Sequence, residues 1–133
     1  MTRFLNNMRR YPLSVIALFL VCYATFYNPR DYSSAVLLGR FDKVLHFIMY
    51  ASLCSLIWYE YFKCHTSFNV GRILFYGVVV PIFLGGFLEL LQSLFTTWRS
   101  GDLLDFLFNS LGVLFAAFFS VIVTRPLLRS GFL

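Results

Sequence analysis

Apolar residues come in four long runs separated by short polar breaks. The first, Tyr11 to Tyr27, contains no charged residue and follows Arg3, Arg9 and Arg10. The second runs from Lys43 to Phe62 behind Asp42, and the third from about Ile73 to Phe95 with Pro81 inside it. The fourth runs from about Leu103 to Thr124 and meets Arg125 and Pro126. Each is near the ~20 residues that cross ~30 Å of hydrocarbon at a rise of ~1.5 Å per residue. The pattern predicts an all-α, polytopic membrane protein of one domain, with four transmembrane helices (about 11–27, 43–62, 73–95 and 103–124) in one bundle. Residues 28–41, which include Asn28, Pro29 and Gly39, are expected as a connection. Pro81 is expected to free a backbone carbonyl and kink its helix, which a membrane tolerates where a neighbouring group satisfies that carbonyl. The first run also has the basic start of a signal peptide. No A-x-A-like cleavage site follows and Val21 before Cys22 is a poor lipoprotein site, so an uncleaved helix is expected.

The departures from the apolar pattern are themselves periodic. Glu89 and Gln92 are three apart near the end of the third helix. Asp102, Asp105, Asn109 and Gly112 follow at i, i+3, i+7 and i+10, an arc of roughly 80° at 100° per residue. Asp42, Lys43 and His46 head the second helix, with Tyr50 a turn further on. Four crossings place all these groups on one side. At ~1.5 Å per residue His46, Gln92 and Asp105 lie roughly 4–5 Å inside their helix ends, and Glu89 and Asn109 roughly 10 Å. Seven Lys and Arg fall on the side of the termini and four on the other, so both termini are expected in the cytoplasm and the polar layer at the outer face.

Composition agrees with a lipid solvent. The chain has 133 residues, of which 59% are hydrophobic, 20% aromatic and 13% charged, against roughly a quarter charged in soluble domains. The net charge of +5 sits at the ends of apolar runs rather than in a patch, so it reads as a topology signal and not as a nucleic-acid surface. Cys22, Cys54 and Cys64 lack metal-ligand spacing and make a disulfide framework unexpected.

Several polar residues have two readings. A carboxylate within a span is costly and faces a partner or a wet cavity, so Glu89 is either an acid/base or binding group or one half of a helix-stapling pair. Asp102 and Asp105 suit a helix N-terminus as caps, and Asp105 also points along the stripe towards Asn109. His46 suits proton transfer, or a hydrogen bond to a carboxylate. A divalent-metal set of His46, Glu89 and Asp105 is chemically reasonable, but no second histidine or dense ligand motif accompanies it and no metal is assigned. Lys43 and Arg99 lie against the charge trend and either clamp a phosphate or balance the acids. Gly112 with Ala116, and Ala51 with Ser55, read as helix-packing faces. Trp58, Tyr59, Tyr61 and Trp98 read as interfacial anchors.

The motif Asp42-Lys43-x-x-His46-Phe47-x-x-Tyr50, then Glu89-x-x-Gln92, then Arg99-x-x-Asp102-x-x-Asp105-x-x-x-Asn109-x-x-Gly112 resembles the VanZ-like family of small bacterial membrane proteins, over about residues 42–116. The resemblance implies a multi-pass protein of the bacterial cytoplasmic membrane. It also implies an envelope context, since name-giving members are associated with reduced sensitivity to the glycopeptide teicoplanin. It supplies no reaction and no cofactor. The expected role is to bind, or bind and modify, an outer-leaflet amphiphile or a lipid-linked envelope precursor. Glu89, His46 and Asp105 are the catalytic candidates, and Asp42, Lys43, Gln92, Arg99, Asp102 and Asn109 the binding candidates. The alternative is a non-catalytic binding or shielding protein. A proton-coupled carrier ranks third, because the terminal half offers only Glu60, Lys63, His65 and Arg72.

Overall fold

The computed structural model describes residues 10–27, 32–95 and 103–131, with residues 32–40 in backbone only. Among these every regular element is helical: α1 (Pro12–Phe26), α2 (Tyr32–Cys64), α3 (Val70–Phe95) and α4 (Leu103–Arg129). Three stretches are long and apolar enough to cross a membrane: Phe41–Cys64 within α2, all of α3 and all of α4, with mean hydropathies of 1.2, 2.1 and 2.3. At 15 residues α1 is apolar but shorter, about 22 Å against ~30 Å of hydrocarbon.

Burial is inverted relative to a water-soluble bundle. Phe19, Phe83, Phe95, Leu103 and Phe118 are exposed, while His46, Glu60, Glu89, Gln92, Asp105 and Asn109 are buried. Such a surface is stable against acyl chains, and the interior then has to satisfy its own polar groups.

Three boundaries differ from the sequence reading. Residues Tyr32–Phe41, expected as connection, are the first turns of α2, which runs for 33 residues. Pro29 precedes them and only Gly39 within them weakens a helix, by about 1 kcal/mol, too little to end one. The third helix begins at Val70, where the Asn69 side chain accepts from Arg72 N at 2.9 Å and supplies the cap. The fourth continues through Pro126 to Arg129 rather than closing at Arg125.

Both intrahelical prolines are accommodated by the same device. A π-helical turn, Phe75–Val79, precedes Pro81, and another, Ser120–Thr124, precedes Pro126. There Val80 N–H reaches back to Phe75 O, and Arg125 N–H to Ser120 O, widening the turn before the ring would clash. Gly77 O, the carbonyl that Pro81 cannot serve, accepts from Trp58 Nε1 at 3.3 Å. Trp58 and Tyr61 are therefore core residues, buried to within 1% and 4% exposure, and not the interfacial anchors their positions suggested. Trp98 lies outside the described residues.

The closest helix pair is α2 with α4. At Gly112 an added Cβ would stand 2.5 Å from Phe47 O and 3.0 Å from Ala51 N, so the two backbones meet there. Ala116 is buried on the same face, as the small-residue spacing predicted. Helix α1 lies against α2 and α3, and α3 packs on α4.

Candidate functional site

Close packing at Gly112 fixes the register that brings the polar stripes together. One turn before it α4 carries Asn109, and one turn before that Asp105; facing them, α2 carries Asp42, His46 and Tyr50 at four-residue spacing. Helix α3 contributes Glu89 from the third side. Gly85 of α3 faces the same residues: a Cβ there would lie 3.4 Å from Asn109 Cβ and from Tyr50 Cε1, at van der Waals contact.

His46 is the hub. Its Nδ1 lies 3.0 Å from Asn109 Oδ1 and 3.5 Å from Glu89 Oε1. Asn109 Nδ2 donates to that same Glu89 oxygen at 3.3 Å, which orients the amide and makes His46 Nδ1 the N–H that donates to Oδ1. Nε2 faces two carboxylates, Asp42 Oδ1 at 3.7 Å and Asp105 Oδ2 at 3.8 Å. Lys43 Nζ stands 3.8 Å from the other oxygen of Asp105. One imidazole thus lies among three carboxylates delivered by three helices, and it can hold a proton at Nε2 or release one there. The separations at Nε2 exceed a direct hydrogen bond, so these two contacts are electrostatic.

Access is graded. The Lys43 side chain is 40% exposed and that of Asp42 20%, while His46 and Asp105 are buried. The cluster therefore opens at the end where α2 and α4 carry residues 42, 43 and 105. His46 Nε2 and one oxygen each of Asp42 and Asp105 all lie within 4.8 Å of one another, a donor set able to close on a divalent cation. Asp42 here takes the place that sequence spacing gave to Glu89. The Lys43 ammonium supplies positive charge to Asp105 from within the chain.

The candidates named from sequence separate in space. Asp42, Lys43, His46, Glu89, Asp105 and Asn109 converge. Arg99 and Asp102 lie outside the described residues. Gln92 is fully buried, but its Nε2 donates to Thr25 O at 2.8 Å, a carbonyl in the last turn of α1. Tyr50 is buried below the cluster, and its hydroxyl has no hydrogen-bond partner among the described residues. Its signal in the sequence was the four-residue step from His46.

Glu60 had no assigned partner in the sequence. It is buried on α2, and its carboxylate accepts from Leu13 N at 2.8 Å, from Ser14 N at 2.9 Å and from the Ser14 hydroxyl. The second and third residues of α1 are thereby capped from another helix. No sequence pattern marks such a pair, because two of the three donors are backbone groups 46 and 47 residues away.

The fold and the site define a helical membrane protein with an ionisable cluster enclosed between three helices. Comparison with protein-family models, with curated proteins and with solved structures finds no match.

Proposed function

We propose that this chain is a VanZ-like protein of the bacterial cytoplasmic membrane that binds and modifies the headgroup of an outer-leaflet amphiphile or lipid-linked envelope precursor. The observation that carries the reading is the His46 imidazole held among Glu89, Asp42 and Asp105, with Lys43 at the open end. In this reading Lys43 and Arg99 hold an anionic headgroup, and Asp105 and Asn109 orient a hydroxyl or water. His46 Nε2 or Glu89 moves the proton. The chain crosses four times with both termini cytoplasmic. Helix α1 supports the fourth crossing: it runs from the depth of Glu60 to that of Gln92, about 18 Å between Leu13 and Thr25. The motif over residues 42–116 supports the envelope and glycopeptide context.

A non-catalytic binding role is the second reading. It is favoured by the amide of Asn109, which bridges His46 to Glu89 and serves helix packing as well as it would serve chemistry. Glu89→Gln keeps shape and hydrogen bonding but removes the proton-transfer capacity. Envelope lipids and lipid-linked precursors of a deletion strain carrying wild type or Glu89→Gln are compared by mass spectrometry. A species that changes with wild type alone is the expected result and names the substrate. Identical profiles, with both proteins equally protective against a lipoglycopeptide, would replace catalysis by binding.

A further inference from the structure

A second concave site lies at the other end of the bundle, about 22 Å from His46 counted along α2 to Tyr61. It is a cavity of about 520 Å³ lined by Arg10, Tyr11, Tyr61, His65, Arg72 and Tyr76, with Ile57 and Ile73 supplying apolar wall. That volume lies within the roughly 300–1,000 Å³ of small-molecule sites.

The wall is built rather than incidental. Tyr61 Oη accepts from Asn69 N at 3.1 Å, and Asn69 in turn caps the turn that carries Arg72. His65 stacks on Tyr61 with ring centroids 4.5 Å apart and donates from Nδ1 to Tyr61 O at 3.1 Å, which fixes the ring against the wall.

The charge balance at this end is one-sided. Arg10, Lys63, Arg72, Arg125 and Arg129 gather there, and the one acid among the described residues of that end, Glu60, is engaged by α1. Lys63 is held by the Tyr59 hydroxyl and ring, and Arg125 lies over the Phe68 ring at 4.1 Å. Arg10 and Arg72 have no ion-pair partner among the described residues, and both line the cavity.

We propose that this cavity binds a phosphate ester, gripped by the guanidinium groups of Arg10 and Arg72 with the Tyr11 and Tyr76 hydroxyls as further donors. Planar guanidinium forks match phosphate oxygens, and a basic pocket where helices leave the apolar zone suits an anionic lipid headgroup. The site does not depend on the chemistry at His46.

The test uses the purified full chain in detergent, titrated with dioleoyl phosphatidylglycerol or dioleoyl phosphatidylcholine and read by native mass spectrometry. Retention of phosphatidylglycerol in preference to phosphatidylcholine is expected, falling about 30-fold in an Arg10→Gln/Arg72→Gln double variant. Arg129→Gln, at the same end but outside the cavity, is expected to leave the preference in place. Equal lipid affinity in wild type and double variant, or an equal loss in Arg129→Gln, would overturn the site. Competition by millimolar inorganic phosphate assigns it to a soluble phosphate ester, and failure to compete assigns it to the lipid. Should the double variant unfold, Arg72→Lys is read in its place: it keeps the charge, loses the fork and is expected to bind several-fold more weakly. Wild-type affinity in that variant would overturn the guanidinium grip.

Discussion

Two buried carboxylates, Glu60 and Glu89, are near-equals in sequence terms and opposites in structure. Glu60 accepts three hydrogen bonds, two of them at 2.8 and 2.9 Å, from one helix end. Glu89 shares its Oε1 between Asn109 at 3.3 Å and His46 at 3.5 Å, among titratable side chains of three helices. Short contacts to backbone donors leave no freedom for a proton or a ligand. Contacts shared among titratable side chains give a proton more than one place to sit. The first geometry belongs to architecture, and the second gathers groups of the kind that exchange protons. Gln92 sides with Glu60, since it caps the far end of α1 through Thr25 O. Helix α1 is thus held at both ends by side chains of α2 and α3, which compensates for its 15-residue length.

The largest effect is expected where the architecture is cut. Glu60→Ala strands three donors in a buried setting and should cost about 3–9 kcal/mol at roughly 1–3 per unsatisfied group. Glu60→Gln keeps one acceptor oxygen and should cost about half that. Thermal unfolding in detergent, monitored by circular dichroism, measures both. A Glu60→Ala protein as stable as wild type would dissolve the contrast between the two carboxylates.

Next in size is Gly112→Ala. The new methyl meets backbone, not a movable side chain, so α2 and α4 must part, at about 1–3 kcal/mol or more. Parting them also separates His46 from Asn109. The variant should therefore lose binding or activity together with stability, whereas Glu60→Gln should lose stability first. Glu89→Gln is the mirror case: under about 1 kcal/mol in the same unfolding assay, because its hydrogen bonds survive, with function lost. A Glu89→Gln protein as unstable as Glu60→Ala would make Glu89 a staple.

Much of this was legible in the sequence because it depends on periodicity. The convergence of His46, Glu89, Asp105 and Asn109 follows from spacing of three or four residues on helices whose lengths match a bilayer. What was not legible depends on partners that carry no side-chain signature. The donors for Glu60 are mainly backbone N–H groups. Pro126 reads as a stop, yet a π turn absorbs it. Trp58 sits near a helix end, where indoles commonly mark an interface, but its N–H serves a carbonyl 19 residues away.

That last pair offers the smallest and sharpest test. Trp58→Phe keeps the aromatic packing and removes only the donor to Gly77 O, so it should cost about 1 kcal/mol, the usual net value of such a bond. The carbonyl needs Trp58 because residue 81, four positions on, has no N–H to offer. Pro81→Ala supplies one. In the Pro81→Ala background Trp58→Phe should then cost less than half as much, a coupling that a double-mutant cycle measures directly. Equal costs in the two backgrounds would mean that Trp58 acts by packing alone, and that the π turn by itself accommodates the proline.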